Sequence, residues 1–380
     1  MIFETSLIGR ICLKGELSVA DKSRPPETSI LRQVEQILVD RLPPSWSARI
    51  VRAPGRPSSR RRESSLRIRA PDGESIDLTL EVKRVLNPQD ASRLLDSLEI
   101  GAPARARSPE SIRLVIAAPY LGDRAREVIA ARGVSYADAT GNVRLLSEKP
   151  AMFVMTTGAD RDPWPDDQPL KSLRGRGAGR CVRAVVDFRP PYGVRELAAR
   201  AEVSPATLAR VIDLLARDAL LTRDARGGVT AVDWAGCLRR WSKDYEFTTS
   251  NRVTSFVAPR GLSDITAKLA EVKWRYAATG SIAAQALSPI APLRQAMLYV
   301  DDIDSARRAL DAREADEGAN LLIAEPFDEV VYERTTTVNG LSIVAPSQAA
   351  ADLLTGSGRM PSEGEELLDW MKANERVWRR

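Results

Sequence analysis

Between Ser29 and Leu42 the apolar residues Ile30, Leu31, Val34, Ile37 and Leu38 recur at helical spacing, which predicts an amphipathic helix. Pro43-Pro44 ends it, because proline has no N–H to donate and cannot continue the turn. Over residues 47–85 the period falls to two. Leu66 and Ile68, then Ile76, Leu78, Leu80 and Val82, alternate with polar residues on either side of a Pro71-Asp72-Gly73 turn. A helical stretch through Ala91, Leu94, Leu95 and Leu98 follows, then a buried strand at 112–118 and a helix over Ala125–Ala131. A strand over Val134–Ala137 and a last strand over Val143–Leu146 complete an α/β domain spanning 28–156. Residues 1–27 show no clear period and read as an N-terminal arm.

The pattern breaks at residues 157–177, where Asp160-Arg161-Asp162-Pro163-Trp164-Pro165-Asp166-Asp167 reads as a linker. From 178 to 240 short helical stripes dominate. Val182, Val185 and Val186 mark one helix, and Val194, Leu197, Ala198 and Ala201 a second. Leu208, Val211, Ile212 and Leu215 mark a third. Thr222–Val232, with Gly227-Gly228 near its middle, reads as a hairpin. Residues 250–376 return to an α/β pattern, with strands expected near 253–257, 275–279, 296–300, 320–323 and 329–333. Helices are expected there near 263–272, 304–312, 346–354 and 362–373. The expected fold class is therefore multidomain α/β with a helical module between the α/β parts.

Composition narrows the chemistry. The 380 residues contain no histidine, which removes Ser-His-Asp, Cys-His and His-metal mechanisms together. Cys12, Cys181 and Cys237 lie far apart, suiting reduced thiols rather than a metal-chelating set. There is no apolar run of membrane-spanning length and no signal-peptide pattern, so a cytoplasmic protein is expected. The net charge of +5 is unevenly placed. Residues 171–240 hold 14 Lys or Arg against 7 Asp or Glu, whereas residues 301–333 hold 3 Arg against 11 acids. Contact with a polyanion is expected at the basic centre.

The second and third central helices are separated by Glu202 and Val203 alone. Ser204 reads as an N-cap with Pro205 at the first helical position, and Val203 and Leu208 are spaced as a hydrophobic staple. Ala206, Thr207, Arg210, Asp213 and Arg217 fall on the outer face, and the first three are candidates for base contact in a major groove. Arg223 and Arg226 flank the hairpin tip as candidates for backbone or minor-groove contact. Arg195, Lys171, Arg174, Arg176 and Arg180 are candidates for phosphate contact, the last four expected ahead of the first helix. The segment VRELAARAEVSPATLARVIDLLARDAL resembles the winged helix-turn-helix of bacterial regulators, over about sixty residues.

In the N-terminal domain Glu81 and Lys83, two apart on a strand, share a face, as a carboxylate and a lysine do around Mg²⁺ in nucleases. With the helix before and the strands after, residues 28–155 resemble the restriction-endonuclease-like fold. That fold also places an acid near the preceding strand. The candidates here are Glu63, beside Arg60-Arg61-Arg62, and Asp77, on the strand and face of Glu81. Asp77 and Glu81 would then be the metal ligands, and Mg²⁺ the only cofactor. Asp138-Ala139-Thr140-Gly141-Asn142 reads first as a tight loop and second as a ligand site.

Thr279-Gly280-Ser281, followed by Asp301-Asp302, suggests a nucleotidyltransferase-like layout. Adjacent carboxylates on a strand point to opposite faces, however, which favours a strand ending in an acidic loop. The segments GVSYADATGNVRL, ATGSIAAQALSPIAPLRQAMLYVDD, NLLIAEPFDEVVYE and SIVAPSQAAADLLTGSGRMPSEGEELLDWM resemble AbiE-type antitoxins of type IV toxin–antitoxin systems. The resemblance implies a winged helix beside a nucleotidyltransferase-like domain, although those antitoxins begin with the winged helix and this chain carries it centrally. The expectation is a homodimeric, double-stranded-DNA-binding transcriptional regulator, not an enzyme. The alternatives are a Mg²⁺-dependent nuclease and an antitoxin with a toxin partner.

Overall fold

Ile30, Leu31, Val34 and Leu38 lie buried along one side of helix α1 (Glu27–Arg41), as their spacing predicts, and that buried side organises the first half of the molecule. The computed structural model describes residues 24–52, 64–101, 113–164, 172–288 and 293–380. The candidates Glu63 and Lys171, the arm up to residue 23, Cys12, and Asp166-Asp167 of the expected linker lie outside them. The chain divides into two compact units, Met1–Asn87 with Leu94–Asp166 and Pro88–Arg93 with Asp167–Arg380.

After α1 come β1 (Ser47–Arg52), β2 (Ser64–Arg69), β3 (Ser75–Val82), α2 (Pro88–Gly101), β4 (Leu114–Ala118), α3 (Asp123–Ala131), β5 (Ser135–Asp138), β6 (Val143–Ser147) and β7 (Met152–Thr156). The strands form one mixed sheet in chain order, β1 to β7. The β3–β4 and β4–β5 pairs are parallel and the rest antiparallel. Alternation along β3 turns Ile76, Leu78 and Leu80 onto the α1 core and Asp77 and Thr79 to solvent. β7 is one strand more than the sequence reading allows. Its outward residues Phe153 and Met155 are apolar, so the polar/apolar alternation that marks a half-buried strand is missing.

The Asp138–Asn142 loop is a structural clasp. The buried Asp138 carboxylate accepts hydrogen bonds of 2.7–3.0 Å from Leu121 N, Thr140 N, Thr140 Oγ1, Asn142 N and Asn142 Nδ2. Asn142 Oδ1 in turn accepts from Gly158 N at 2.9 Å. A Cβ on Gly158 would meet Thr140 O at 2.3 Å, so only glycine fits. The linker expected from residue 157 is thus held to the first unit here, and again at Asp162 by its ion pair with Arg24 at 2.9 Å.

The second unit opens with α4 (Arg176–Asp187), α5 (Val194–Arg200), α6 (Pro205–Arg217), the strands β8 (Leu221–Arg223) and β9 (Val229–Val232), α7 (Trp234–Trp241) and α8 (Phe247–Ser250). It continues with β10 (Arg252–Val257), α9 (Leu262–Glu271), β11 (Tyr276–Thr279), α10 (Gly280–Leu287), β12 (Ala296–Val300), α11 (Ile303–Leu310), β13 (Arg313–Glu314) and β14 (Leu321–Glu325). After these come β15 (Thr336–Val338), β16 (Leu341–Ile343), α12 (Pro346–Leu354), α13 (Met360–Ala373) and α14 (Glu375–Trp378). Its large sheet runs β13-β10-β14-β12-β11-β16-β15. The strand expected over 329–333 is a 3-10 helix, Glu329–Tyr332. Asp328 caps it by accepting from Val330 N at 2.9 Å, and the adjacent Val330 and Val331 are both buried.

Residues 178–240 and 250–376, expected as separate domains, share one continuous core that includes Trp241, Tyr245, Phe247 and Tyr299. α4 lies inside it, with every residue from Cys181 to Asp187 buried. Even Arg183 is 2% exposed. Arg183 pairs with Asp187 at 3.1 Å and donates to Gln348 Oε1 at 3.0 Å and Val330 O at 3.2 Å. Gln348 Nε2 donates onward to Asp352 Oδ1 at 2.9 Å. Asp352 also contacts the Tyr245 hydroxyl at 2.7 Å and the Tyr299 hydroxyl at 2.9 Å, and the two hydroxyls are 2.9 Å apart.

Burial lifts the Asp352 carboxyl from its ordinary 3.8 to about 6, against the opposing pull of its donors Thr279 Oγ1 at 2.6 Å, Tyr245, Gln348 and Tyr299. The folded state therefore holds the carboxyl proton more tightly than the unfolded chain. That contribution to stability is full below about pH 4 and is lost as pH rises through about 6. Asp352→Asn should remove it, so the stability of the wild type relative to the variant should fall between pH 4.5 and pH 7 in urea unfolding. An unchanged difference across that range refutes the assignment.

Candidate nucleic-acid interface

Val194, Leu197, Ala198 and Ala201 set the apolar side of α5 on the core and leave Arg195, Glu196, Ala199 and Arg200 outside. The helix stops at Glu202, whose φ of +51° is left-handed. That turn lets Glu202 N bond Ala199 O at 3.2 Å and Val203 N bond Ala198 O at 3.1 Å. Glycine commonly fills such a site. Here Glu202 is tethered by its carboxylate to Arg180 at 2.6 Å.

Ser204 follows at once as the N-cap of α6, its Oγ accepting from Thr207 N at 3.1 Å, with Pro205 in the first turn. Leu208, Val211, Ile212 and Leu215 bury one side of α6, whereas Ala206, Arg210 and Asp213 are exposed and Thr207 is half-buried. α6 ends as α5 does. Ala219 has φ +53°, and Leu220 N bonds Leu215 O at 2.9 Å. The first turn of α4 lies beside the first turn of α6, since a Cβ on Gly177 would meet the Thr207 methyl at 3.4 Å.

β8 and β9 form an antiparallel hairpin, extended by a bridge from Tyr192 to Val229. At its tip Asp224 Oδ1 accepts from Arg226 N at 2.8 Å and Gly228 N at 2.9 Å, and Gly227 takes φ +85°. Arg223 reaches back to Asp213 of α6 at 2.6 Å, which ties the hairpin to that helix.

The structure sorts the basic residues of this region into two groups. Arg176 opens the first helix and does not precede it, and Arg180 lies well within it. It bonds Asp328 at 2.8 Å and Glu202, and these outweigh the cost of burial and hold its pKa above the ordinary arginine value. Part of the acidic 301–333 stretch is thus spent on α4 and does not face open solvent. Arg183, Arg223 and Arg240 are likewise ion-paired, and Arg200 pairs with Glu196 while lying 4.8 Å over the Phe188 ring. Arg174, Arg176, Arg195, Arg210 and Arg226 are exposed, and among the described residues no carboxylate pairs with them. Arg210 only donates Nε to Ala206 O, at 3.3 Å.

Against protein-family models, curated proteins and solved structures, the chain finds no match.

The other candidate sites are taken up internally. Asp77 forms a double hydrogen bond with Arg67 across the β2–β3 pair, at 2.7 and 2.8 Å, and this holds its carboxyl below the usual range. Glu81 pairs with Lys83 at 2.8 Å. Asp77 and Glu81 share a face as expected, but four residues along a strand separate them by roughly 13 Å, too far to share one ion. Thr279 is buried against Asp352, and Ser281 Oγ donates to Glu363 at 2.6 Å. Asp301 binds Arg275 at 2.6 Å, whereas Asp302 caps α11 through Ser305 N. Among the described residues no group of three or more acidic or thiol side chains converges as a metal site. Cys181 and Cys237 are buried and form no disulfide among the described residues, and burial pushes the Cys181 thiol up to about 12.

Sequence reasoning missed the placement of Arg174 and Arg176 beside α6. The signal was present in the small residues Gly175, Gly177, Ala178 and Gly179, which allow close approach. A Cβ on Gly179 would meet Phe327 at 2.9 Å.

Two substitutions test this local geometry. Ser204→Ala removes the cap and should lower stability by about 1 kcal/mol. Ala219→Gly relieves a left-handed alanine and should raise it by up to about 1 kcal/mol. Urea unfolding reads both, and an opposite sign for either contradicts the cap at Ser204 or the left-handed turn at Ala219.

Proposed function

We propose that α4, α5, α6 and the β8–β9 hairpin form a winged helix-turn-helix that reads duplex DNA, and that the chain is a transcriptional regulator acting as a dimer. One observation carries the reading. The segment entering α4 and its first residue, the second turn of α6, the start of α5 and the hairpin tip present five arginines that no carboxylate among the described residues neutralises. The other arginines of the same region are held in ion pairs or internal hydrogen bonds.

A helix of ~10–12 Å diameter fits a major groove of ~12 Å. The N-terminal end of α6 carries the positive end of the helix dipole, so its entry into the groove is favoured beside phosphates. In this reading Arg210, Ala206 and Thr207 face base edges, with Arg210 matching the N7 and O6 acceptors of guanine. Arg174, Arg176 and Arg195 neutralise phosphates, and Arg226 meets the backbone or minor groove. Arg223 acts indirectly, holding the hairpin against α6 through Asp213. The resemblance to AbiE-type antitoxins supports the assignment, and the first unit serves as a scaffold with a restriction-endonuclease-like layout.

Selection from a random duplex library supplies the site for the test. Arg210→Ala should weaken binding to it by ~1–3 kcal/mol and relax preference at one position. Arg176→Ala and Arg226→Ala should weaken all duplexes alike and each reduce the salt slope by about 1. Fluorescence anisotropy measures these effects. Equal affinity for selected and random duplexes overturns the proposal.

A further inference from the structure

Leu146, Phe153 and Met155 are 45%, 62% and 67% exposed, unusual for large apolar side chains, and they stand together. Leu146 of β6 lies directly opposite Phe153 of β7, and Arg144 opposite Met155. Met152 and Val154 turn the other way, onto the α1 core. β7 is also the last strand of its sheet, so its outer edge carries backbone N–H and C=O groups that no strand among the described residues takes up. Its sequence, Met-Phe-Val-Met-Thr, has no charge and no proline. Those are the devices by which edge strands ordinarily avoid pairing.

We propose that β7 is the dimerisation surface of this protein and that its partner is a second copy of the same chain. Two β7 strands pair antiparallel about a two-fold axis at Val154, which joins the two sheets into one. In that register Phe153 of each copy faces Met155 of the other, so a sulfur–aromatic contact forms twice on the outer face. A second copy suits this edge because an uncharged strand meets its own image without like-charge repulsion. The choice also rests on the DNA-reading proposal, in which two half-sites call for two readers related by a two-fold. Patch size sets the strength. One five-residue strand with three exposed apolar side chains is a smaller patch than the ~800 Å² per partner of a standard stable interface, so the dimer is reversible and depends on concentration.

Sedimentation velocity of the full chain without DNA, from about 1 to about 200 µM, tests the proposal. The wild-type mass should rise from one chain toward two. Phe153→Lys with Met155→Lys should stay at one chain, weakening association at least tenfold. Both side chains are exposed, so the melting temperature should be unchanged and will show that the variant is folded. Phe153→Cys with Met155→Cys should give covalent dimers on mild oxidation. A wild type that stays monomeric, a lysine variant that associates as strongly, or cysteine variants that do not cross-link each overturn the interface. Dimers that form normally but bind no selected duplex would sink the DNA-reading proposal and leave the interface standing.

Discussion

The second unit depends on a buried guanidinium. Arg183 sits in the middle of α4 with almost no access to water, and a charge in that position is tolerated only when paired and fully hydrogen-bonded. Asp187 gives the pairing, and Gln348, Val330 O and Glu333 O give the remaining bonds, from α12 and the segment around the 3-10 helix. The chain of bonds continues through Gln348 to Asp352, Tyr245 and Tyr299. Removing one partner from such an arrangement typically costs ~3–5 kcal/mol, because the remaining charge is stranded in a dry interior. The first helix of the helical module is therefore fixed to the large sheet and is not free to swing on a linker.

The surface proposed to read DNA inherits that rigidity. α6 packs on α4 and α5, and Arg180 of α4 holds the Glu202 turn from one side and Asp328 from the other. The orientation of α6 is thereby set by contacts that run through to the C-terminal sheet. The same contacts remove Arg180 and Arg183 from the pool of cations available to an external anion. Net charge over the region overstates what an anion meets, and the five unpaired arginines are the better measure.

The first unit obeys a different constraint. Its sheet is covered on one face by α1, and the Asp138 clasp holds the β5–β6 loop to the strand-following segment at Gly158. At the end away from β1 the sheet leaves open the β7 edge and the outward side chains of β6 and β7. β7 itself carries no charge and no proline, and Leu146, Phe153 and Met155 stand exposed at that end of the sheet.

Much of this architecture is legible along the chain. Helical spacing at Ile30–Leu38, alternation at Ile76–Val82 and the Val203-Ser204-Pro205 signal each act over a few residues, through local sterics and hydrogen bonding, and each appears in place. The divergence of Asp301 and Asp302 likewise follows from strand alternation alone. What the residues could not show is which polar groups meet across long sequence separations. Arg183 with Gln348, Arg180 with Asp328 and Tyr245 with Asp352 are each more than a hundred positions apart. A periodicity reading treats α4 as an amphipathic helix with a solvent face, because nothing nearby announces that both faces will be covered. Local order came from the sequence. The division of the arginines into structural and available ones came only from tertiary packing, since desolvation and pairing are decided by whatever the fold brings alongside.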